Sequence, residues 1–249
     1  MIFRQLFEPV SSTYTYLVAC EDTGQAALID PVVPTMSRDM KLLAELGLQL
    51  VMTIETHVHA DHITSALHLR EELGSKIAFP AINKLSCADI QIVEGTPLKV
   101  GHVVIRPLFT PGHTDDHFSY VMQGRVLTGD SLLIDGCGRT DFQNGSAENL
   151  FNSIQDKLFT LDDDTLVYPG HDYHGRFVSS IAQEKARNPR IGSDTSIDQF
   201  IKTMSELELP HPTFIEYAVA GNQLCGECPG DLPENMEKYC QQMTESPQG

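Results

Sequence analysis

Short apolar runs recur along the chain, each ended by a cluster of polar residues, and the runs alternate between two periods. Thr13 to Cys20 and Ala26 to Asp30, joined by the polar turn Glu21 to Gly24, read as a β-hairpin. Ser37 is placed to cap a helix that carries Met40, Leu43 and Leu46 and ends at Gly47. Leu48 to Glu55 then predicts a buried strand, Ile63 to Leu73 a helix stopping at Gly74, and Lys76 to Phe79 a short strand. In the second half, strands are predicted at Val103 to Phe109, Phe118 to Met122, Arg125 to Asp130 and Thr165 to Tyr168. Ser146 begins a helix with Leu150, Ile154 and Leu158 on one face. Further helices fall at Phe177 to Arg187 and at Ile197 to Leu207, the latter with Ser196 and Gln199 at capping-box spacing. Strands and helices alternating in both halves predict an α/β fold of two sheets covered by helices. One domain over residues 1–230 is expected, followed by a polar, Pro-bearing tail at 231–249.

The chemistry sits where the strands give out. Thr56-His57-Val58-His59-Ala60-Asp61-His62 puts three imidazoles and a carboxylate in the turn between a strand and a helix. Unpaired imidazoles crowded together repel on protonation and gain nothing in a core, so the cluster points to a metal rather than to packing. Two further strands run into Thr110-Pro111-Gly112-His113 and Thr128-Gly129-Asp130, and a third into Pro169-Gly170-His171. The candidate ligands are therefore His57, His59, Asp61, His62, His113, Asp130 and His171. As a list of residues, they permit one metal or two.

Composition narrows the partners. The chain has 249 residues, 34 acidic against 17 basic, for a formal charge of -17. Most of its surface repels a phosphate backbone, which argues against a nucleic-acid partner. No apolar run is long enough to span a bilayer, and no leader segment is visible at the start. Six cysteines in a chain this size make no disulfide-framework pattern, so a cytoplasmic location is expected. The Cys225/Cys228 pair has no second pair and predicts a structural or incidental role rather than a redox or zinc function.

The combination of HxHxDH, PGHT, TGD and a late PGHD resembles the metallo-β-lactamase superfamily and implies an αββα four-layer sandwich. Within it, Ala60-Asp61-His62-Ile63-Thr64, Thr140-Asp141-Phe142-Gln143 after Gly136-Cys137-Gly138-Arg139, Tyr168 to Gly175, Asn188-Pro189-Arg190 and Cys225-Gly226 resemble the persulfide dioxygenase family. That resemblance implies one Fe(II) per chain, held by His57, His113 and Asp130, which would be the catalytic centre. It also implies glutathione persulfide and O2 as substrates, and it alone suggests a homodimer. His59, Asp61, His62 and His171 would then surround the ligands and orient them. Arg139 and Tyr173 are the expected substrate contacts. His117 departs from the pattern: a smaller residue is expected there, and a His is common in glyoxalase II. A glyoxalase II-like hydroxyacylglutathione hydrolase with a dinuclear site is the alternative, and a non-catalytic metal- or thiol-binding protein is the third reading.

Overall fold

The first sheet contains a strand with no solvent face. All seven residues of β2 (Thr13–Ala19) are buried, as expected of a β-branched and aromatic run covered on both sides. The sheet runs in chain order through β1 (Ile2–Glu8), β2, β3 (Gln25–Ile29), β4 (Gln49–Ile54), β5 (Lys76–Pro80) and β6 (Ile90–Ile92). β1 to β3 pair antiparallel and β3 to β6 pair parallel. The crossovers that parallel pairing requires include α1 (Met36–Glu45) and α2 (Ala66–Leu73). Met36 and Leu43 from α1 and Leu69 from α2 pack with Leu17, Leu28 and Leu50 of the sheet.

A second sheet has the order β14 (Ser179–Ser180), β13 (Leu166–Pro169), β10 (Arg125–Gly129), β9 (Phe118–Met122), β8 (Val103–Phe109) and β7 (Leu98–Val100). A small hairpin, β11 (Leu132–Leu133) with β12 (Gly136–Cys137), follows β10. Ser146 caps α3 (Ala147–Ser153), accepting from Asn149 N at 3.2 Å. The helix then widens into a π-turn at Ile154–Leu158, closed by Phe159 N donating to Ile154 O at 2.8 Å. Leu150, Ile154 and Leu158 are fully buried against Val126, Val167 and Phe200, each contributing about 2 kcal/mol by burial. The remaining helices are α4 (Ile181–Arg187), α5 (Ile197–Ser205) and α6 (Ile215–Asn222). The capping box at Ser196 and Gln199 is formed.

The computed structural model describes residues 1–211, 214–230 and 232–241. They divide into two compact units. One takes in residues 1–92 and 99–103 with the described residues beyond 211, and the other 93–98 and 104–211.

Several boundaries differ from the sequence expectation, each for a local reason. The first helix starts at Met36, with Thr35 rather than Ser37 at its N-cap position and no side-chain cap, because Pro34 sets up a preceding 3₁₀ turn at Val33–Thr35. Residues 63–65 are not helical: Val33 N donates to Ile63 O, Ser65 N to Pro31 O, and Thr64 N to the Asn222 side chain. Tertiary partners have taken the backbone groups a helix would have used. The helix expected from Phe177 begins at Ile181, where the Ser180 hydroxyl accepts from Gln183 N, and Phe177 stays exposed. β6 is an element the sequence reading did not contain.

Four cysteines are paired, as Cys87–Cys225 and Cys228–Cys240, with Cys20 and Cys137 free and buried. Cys225 and Cys228 therefore have separate partners, which is the structural one of the two roles expected. The pairing also removes the cysteine-based ground for expecting a reducing compartment. Of the expected tail, residues 231 and 242–249 lie outside the described residues. Within it, Glu234–Tyr239 form a 3₁₀ helix, and Met236, Tyr239 and Cys240 pack on a cluster of Val33, Ile63, Phe214 and Ala218.

Candidate metal centre

In the first unit the HxHxDH segment leaves the end of β4 as an irregular turn before α2. His57, His59 and His62 are 1–2% exposed, and the ring of His59 lies 4.2 Å from each of the other two. Ligand atoms of His59, Asp61 and His62 lie within 4.8 Å of one another, as do those of Asp30, Glu55 and His59. His59 Nε2 is 3.1 Å from Asp30 Oδ1 and 3.3 Å from Glu55 Oε2. Burial opposes charge on His59, yet the two carboxylates outweigh it and raise the imidazole pKa well above its ordinary value. Burial likewise pushes the Glu55 carboxyl up. Thr13 Oγ1 lies 3.2 Å from Asp61 Oδ2 and 3.3 Å from His62 Nδ1. Two ring nitrogens, His59 Nδ1 and His62 Nε2, are buried without a hydrogen-bond partner.

The turn carrying these side chains is irregular, so its backbone groups need partners from elsewhere. Asn222, at the end of α6 and fully buried, supplies three. Its amide donates to His59 O at 2.9 Å and to His62 O at 2.8 Å, and its oxygen accepts from Thr64 N at 2.9 Å.

In the second unit His113 and Asp130 stand just beyond β8 and β10, with His171 beyond β13. Asp130 Oδ2 is 3.5 Å from His113 Nε2 and 3.5 Å from His171 Nε2, while Asp130 Oδ1 is buried without a partner. His113 Nδ1 lies 2.8 Å from Arg139 O. A carbonyl only accepts, so Nδ1 carries the proton and Nε2 the lone pair on the side of the carboxylate. His117, fully buried, accepts from Asp130 N through Nε2 at 3.0 Å, which leaves its Nδ1–H to donate to Thr110 Oγ1 at 3.0 Å. The same group of side chains requires glycine at two places. A Cβ on Gly138 would stand 2.1 Å from Asp130 O and 2.9 Å from His113 Nδ1, and one on Gly170 would stand 2.5 Å from Asp130 Oδ1.

Arg139 is held by groups of the protein itself. Its Nε and Nη2 each donate to the Asp141 carboxylate at 2.7 Å, Nη1 donates to Pro210 O at 2.8 Å, and the guanidinium lies 4.4 Å from the Phe142 ring. The bidentate pair holds the Asp141 carboxyl below the usual range. Arg139 and Asp141 also line a groove of about 310 Å³ with Thr140, Ile201 and Leu209. Tyr173 is 69% exposed and stacks parallel on His171 at 6.0 Å.

Asp30, Glu55, Thr56, His117 and Asn222 belong to these clusters and were absent from the candidates. Asp30 carried a usable signal, since it ends an apolar strand as Asp130 does. For Asn222, 163 residues from His59, none existed.

Buried, unpartnered donor atoms on imidazoles and a carboxylate are what a metal would satisfy. Nitrogen and carboxylate oxygen without thiolate suit iron as well as zinc. The fold and these clusters define a metal-binding protein of the metallo-β-lactamase type. The family model described as "Metallo-beta-lactamase superfamily" matches residues 9–83 and 78–171. The human protein named "Persulfide dioxygenase ETHE1, mitochondrial" is 44% identical over 230 residues, covering 91% of this chain and 89% of that protein. The crystal structure of ETHE1 from Myxococcus xanthus matches with a TM-score of 0.88 and 53% identity, over 91% of this chain and all of that one. A probable hydroxyacylglutathione hydrolase from Schizosaccharomyces pombe is 33% identical over 187 residues, 70% of this chain and 71% of that protein. The chain belongs to the metallo-β-lactamase superfamily and, within it, to the persulfide dioxygenase family.

Proposed function

We propose that the chain is a persulfide dioxygenase that oxidises glutathione persulfide with dioxygen, using one Fe(II) held by His57, His113 and Asp130. The single observation that carries this reading is its 44% identity to a named persulfide dioxygenase over 91% of its length, against 33% over 70% for the hydrolase. The reaction balances as persulfide plus O2 plus water giving thiol, sulfite and two protons, with the terminal sulfur losing the four electrons that O2 gains. Fe(II) in a site of two imidazoles and one carboxylate supplies a redox centre with positions left open for both substrates.

The chain's own groups prepare that site. Arg139 O keeps the His113 lone pair on Nε2, and His117 holds the Asp130 backbone through its N–H. Asp130 Oδ1, buried and unpartnered, fits a ligand atom awaiting its cation. His59, Asp61, His62 and His171 would order the surrounding polar groups. In this reading Arg139 and Tyr173 contact the substrate, with a substrate carboxylate displacing Asp141 from the guanidinium. A cytoplasmic location and a homodimer are part of the proposal; the human relative is by name mitochondrial.

Oxygen uptake by anaerobically purified, iron-loaded protein is the test. About one iron per chain, oxygen consumed with glutathione persulfide, and sulfite formed are the expected results. Two metals per chain with cleavage of S-lactoylglutathione and no oxygen uptake would overturn the reading in favour of the hydrolase. Metal bound with neither activity would leave a binding protein. Light scattering on the same sample expects twice the 27.6 kDa chain mass, and a monomer would remove the dimer.

A further inference from the structure

Thr56 stands between the end of β4 and His57, and its N–H and hydroxyl are both spent inside the first unit. Its N–H donates to Asp30 Oδ1 at 2.8 Å, its hydroxyl donates to Asp30 Oδ2 at 3.0 Å, and the same hydroxyl oxygen lies 2.8 Å from His57 Nδ1. Asp30, Thr56 and His57 are at most 2% exposed, so these bonds are shielded from exchange with solvent. A hydroxyl carries one proton. With that proton given to a carboxylate, which can only accept, the Thr56 oxygen has nothing left to donate, and the His57 contact must be Nδ1–H donating to it.

We propose that Asp30, acting through the Thr56 hydroxyl, is a positioning residue that fixes His57 in the tautomer with its lone pair on Nε2. The proposal rests on the reading of His57 as a metal ligand, since only the deprotonated nitrogen can bind a cation. Asp30 is itself closely held. It ends β3 at φ 50°, its N–H donates to Ile54 O at 2.9 Å, and its carbonyl accepts from Thr15 Oγ1 at 2.9 Å. An Asp tolerates this left-handed conformation better than a bulkier residue does, and here it aims the carboxylate at the Thr56 backbone and hydroxyl together.

The arrangement makes an unusual prediction for Asp30→Asn. Oδ1 faces two donors, Thr56 N–H and His59 Nε2 at 3.1 Å, so the amide oxygen of the variant takes that position. Its NH2 group is then forced against the Thr56 oxygen and donates to it. The hydroxyl turns and donates to His57 Nδ1, leaving the proton on Nε2, the wrong tautomer for a metal. The near-isosteric change reverses the relay instead of merely weakening it.

The tautomer can be read without any variant. In the full-length, metal-free protein labelled with ¹⁵N-histidine, the expected His57 pattern is a protonated Nδ1 and a bare Nε2; the opposite pattern overturns the proposal. Co(II) titration then gives the consequence. Thr56→Val is expected to weaken Co(II) binding 10- to 100-fold and Thr56→Ser to restore it. Asp30→Asn should weaken it at least as much as Thr56→Val, and adding Thr56→Val to Asp30→Asn should weaken it no further. A purely structural role would lower the unfolding temperature while leaving the tautomer and the serine rescue without effect on affinity. If the wild-type chain takes up no cobalt, the metal reading itself fails. If it does and the Thr56→Val chain matches it, only the relay fails.

Discussion

Asn222→Ala isolates the contribution of one side chain to the shape of the metal-binding turn. The substitution removes three hydrogen bonds, to His59 O, His62 O and Thr64 N, at a site with no exposed surface. A buried hydrogen bond contributes about 1 kcal/mol net, but stranding its partners costs about 1–3 kcal/mol each. Three stranded backbone groups put the expected loss near 4 kcal/mol, a large share of the roughly 5–15 kcal/mol that holds a domain folded. Equilibrium urea unfolding of the metal-free chain, under conditions that keep Cys87–Cys225 in one redox state, measures it. Hydrogen exchange at the Thr64 amide locates it, since that N–H should lose its protection before the sheet does. A stability loss below about 1 kcal/mol, with Thr64 still protected, would show that the turn keeps its shape without Asn222.

Two further outcomes follow from buried carboxylates. Asp39, 1% exposed with Oδ2 unpartnered, has its carboxyl pushed up to about 6 by burial, against the pull of Arg38. Its folded pKa lies above the unfolded value, so the folded state holds the proton more tightly and stability falls as pH rises from about 4 to 6. Asp39→Asn should therefore stabilise the chain by about 2 kcal/mol at pH 7–8 and hardly at all at pH 4; thermal unfolding across that range should show the difference, and an equal effect at both ends would refute it. Gly170→Ala would bring a methyl group to 2.5 Å from Asp130 Oδ1. The methyl group would also stand 3.0 Å from the Gly129 carbonyl carbon, so some stability is lost as well; iron affinity should fall at least tenfold, and unchanged iron affinity in a folded variant would count against Asp130 as a ligand.

The elements were legible where the chain's own periodicity decides them. β2, β4, β8 and the stripe of Leu150, Ile154 and Leu158 emerged nearly as read, because burial on a sheet or helix face leaves its period in the letters. Boundaries set by distant partners were not legible. Residues 63–65 look helical alone, yet Val33, Pro31 and Asn222 claim their backbone groups. Cys87 and Cys225 pair across 138 positions, a separation no spacing rule encodes. Arg139 shows a related limit: its pairing with nearby Asp141 lies within reach of the sequence, whereas its donation to Pro210 O, 71 positions away, does not.

The two strand-ending aspartates show where chemistry parts from pattern. Asp30 and Asp130 each follow a buried strand, β3 and β10, and by position alone they are equivalent candidates. Their oxygens are not equivalent. Both oxygens of Asp30 are taken, by the Thr56 N–H and the Thr56 hydroxyl, whereas Asp130 has Oδ1 buried with no partner. A carboxylate with both oxygens spent on donors can orient a neighbouring ligand but has little left to give a cation. One with a desolvated, unpartnered oxygen carries a cost that a cation would relieve. The same residue type at the same kind of strand end therefore takes two roles, and the difference lies in which donors the rest of the fold brings to each oxygen.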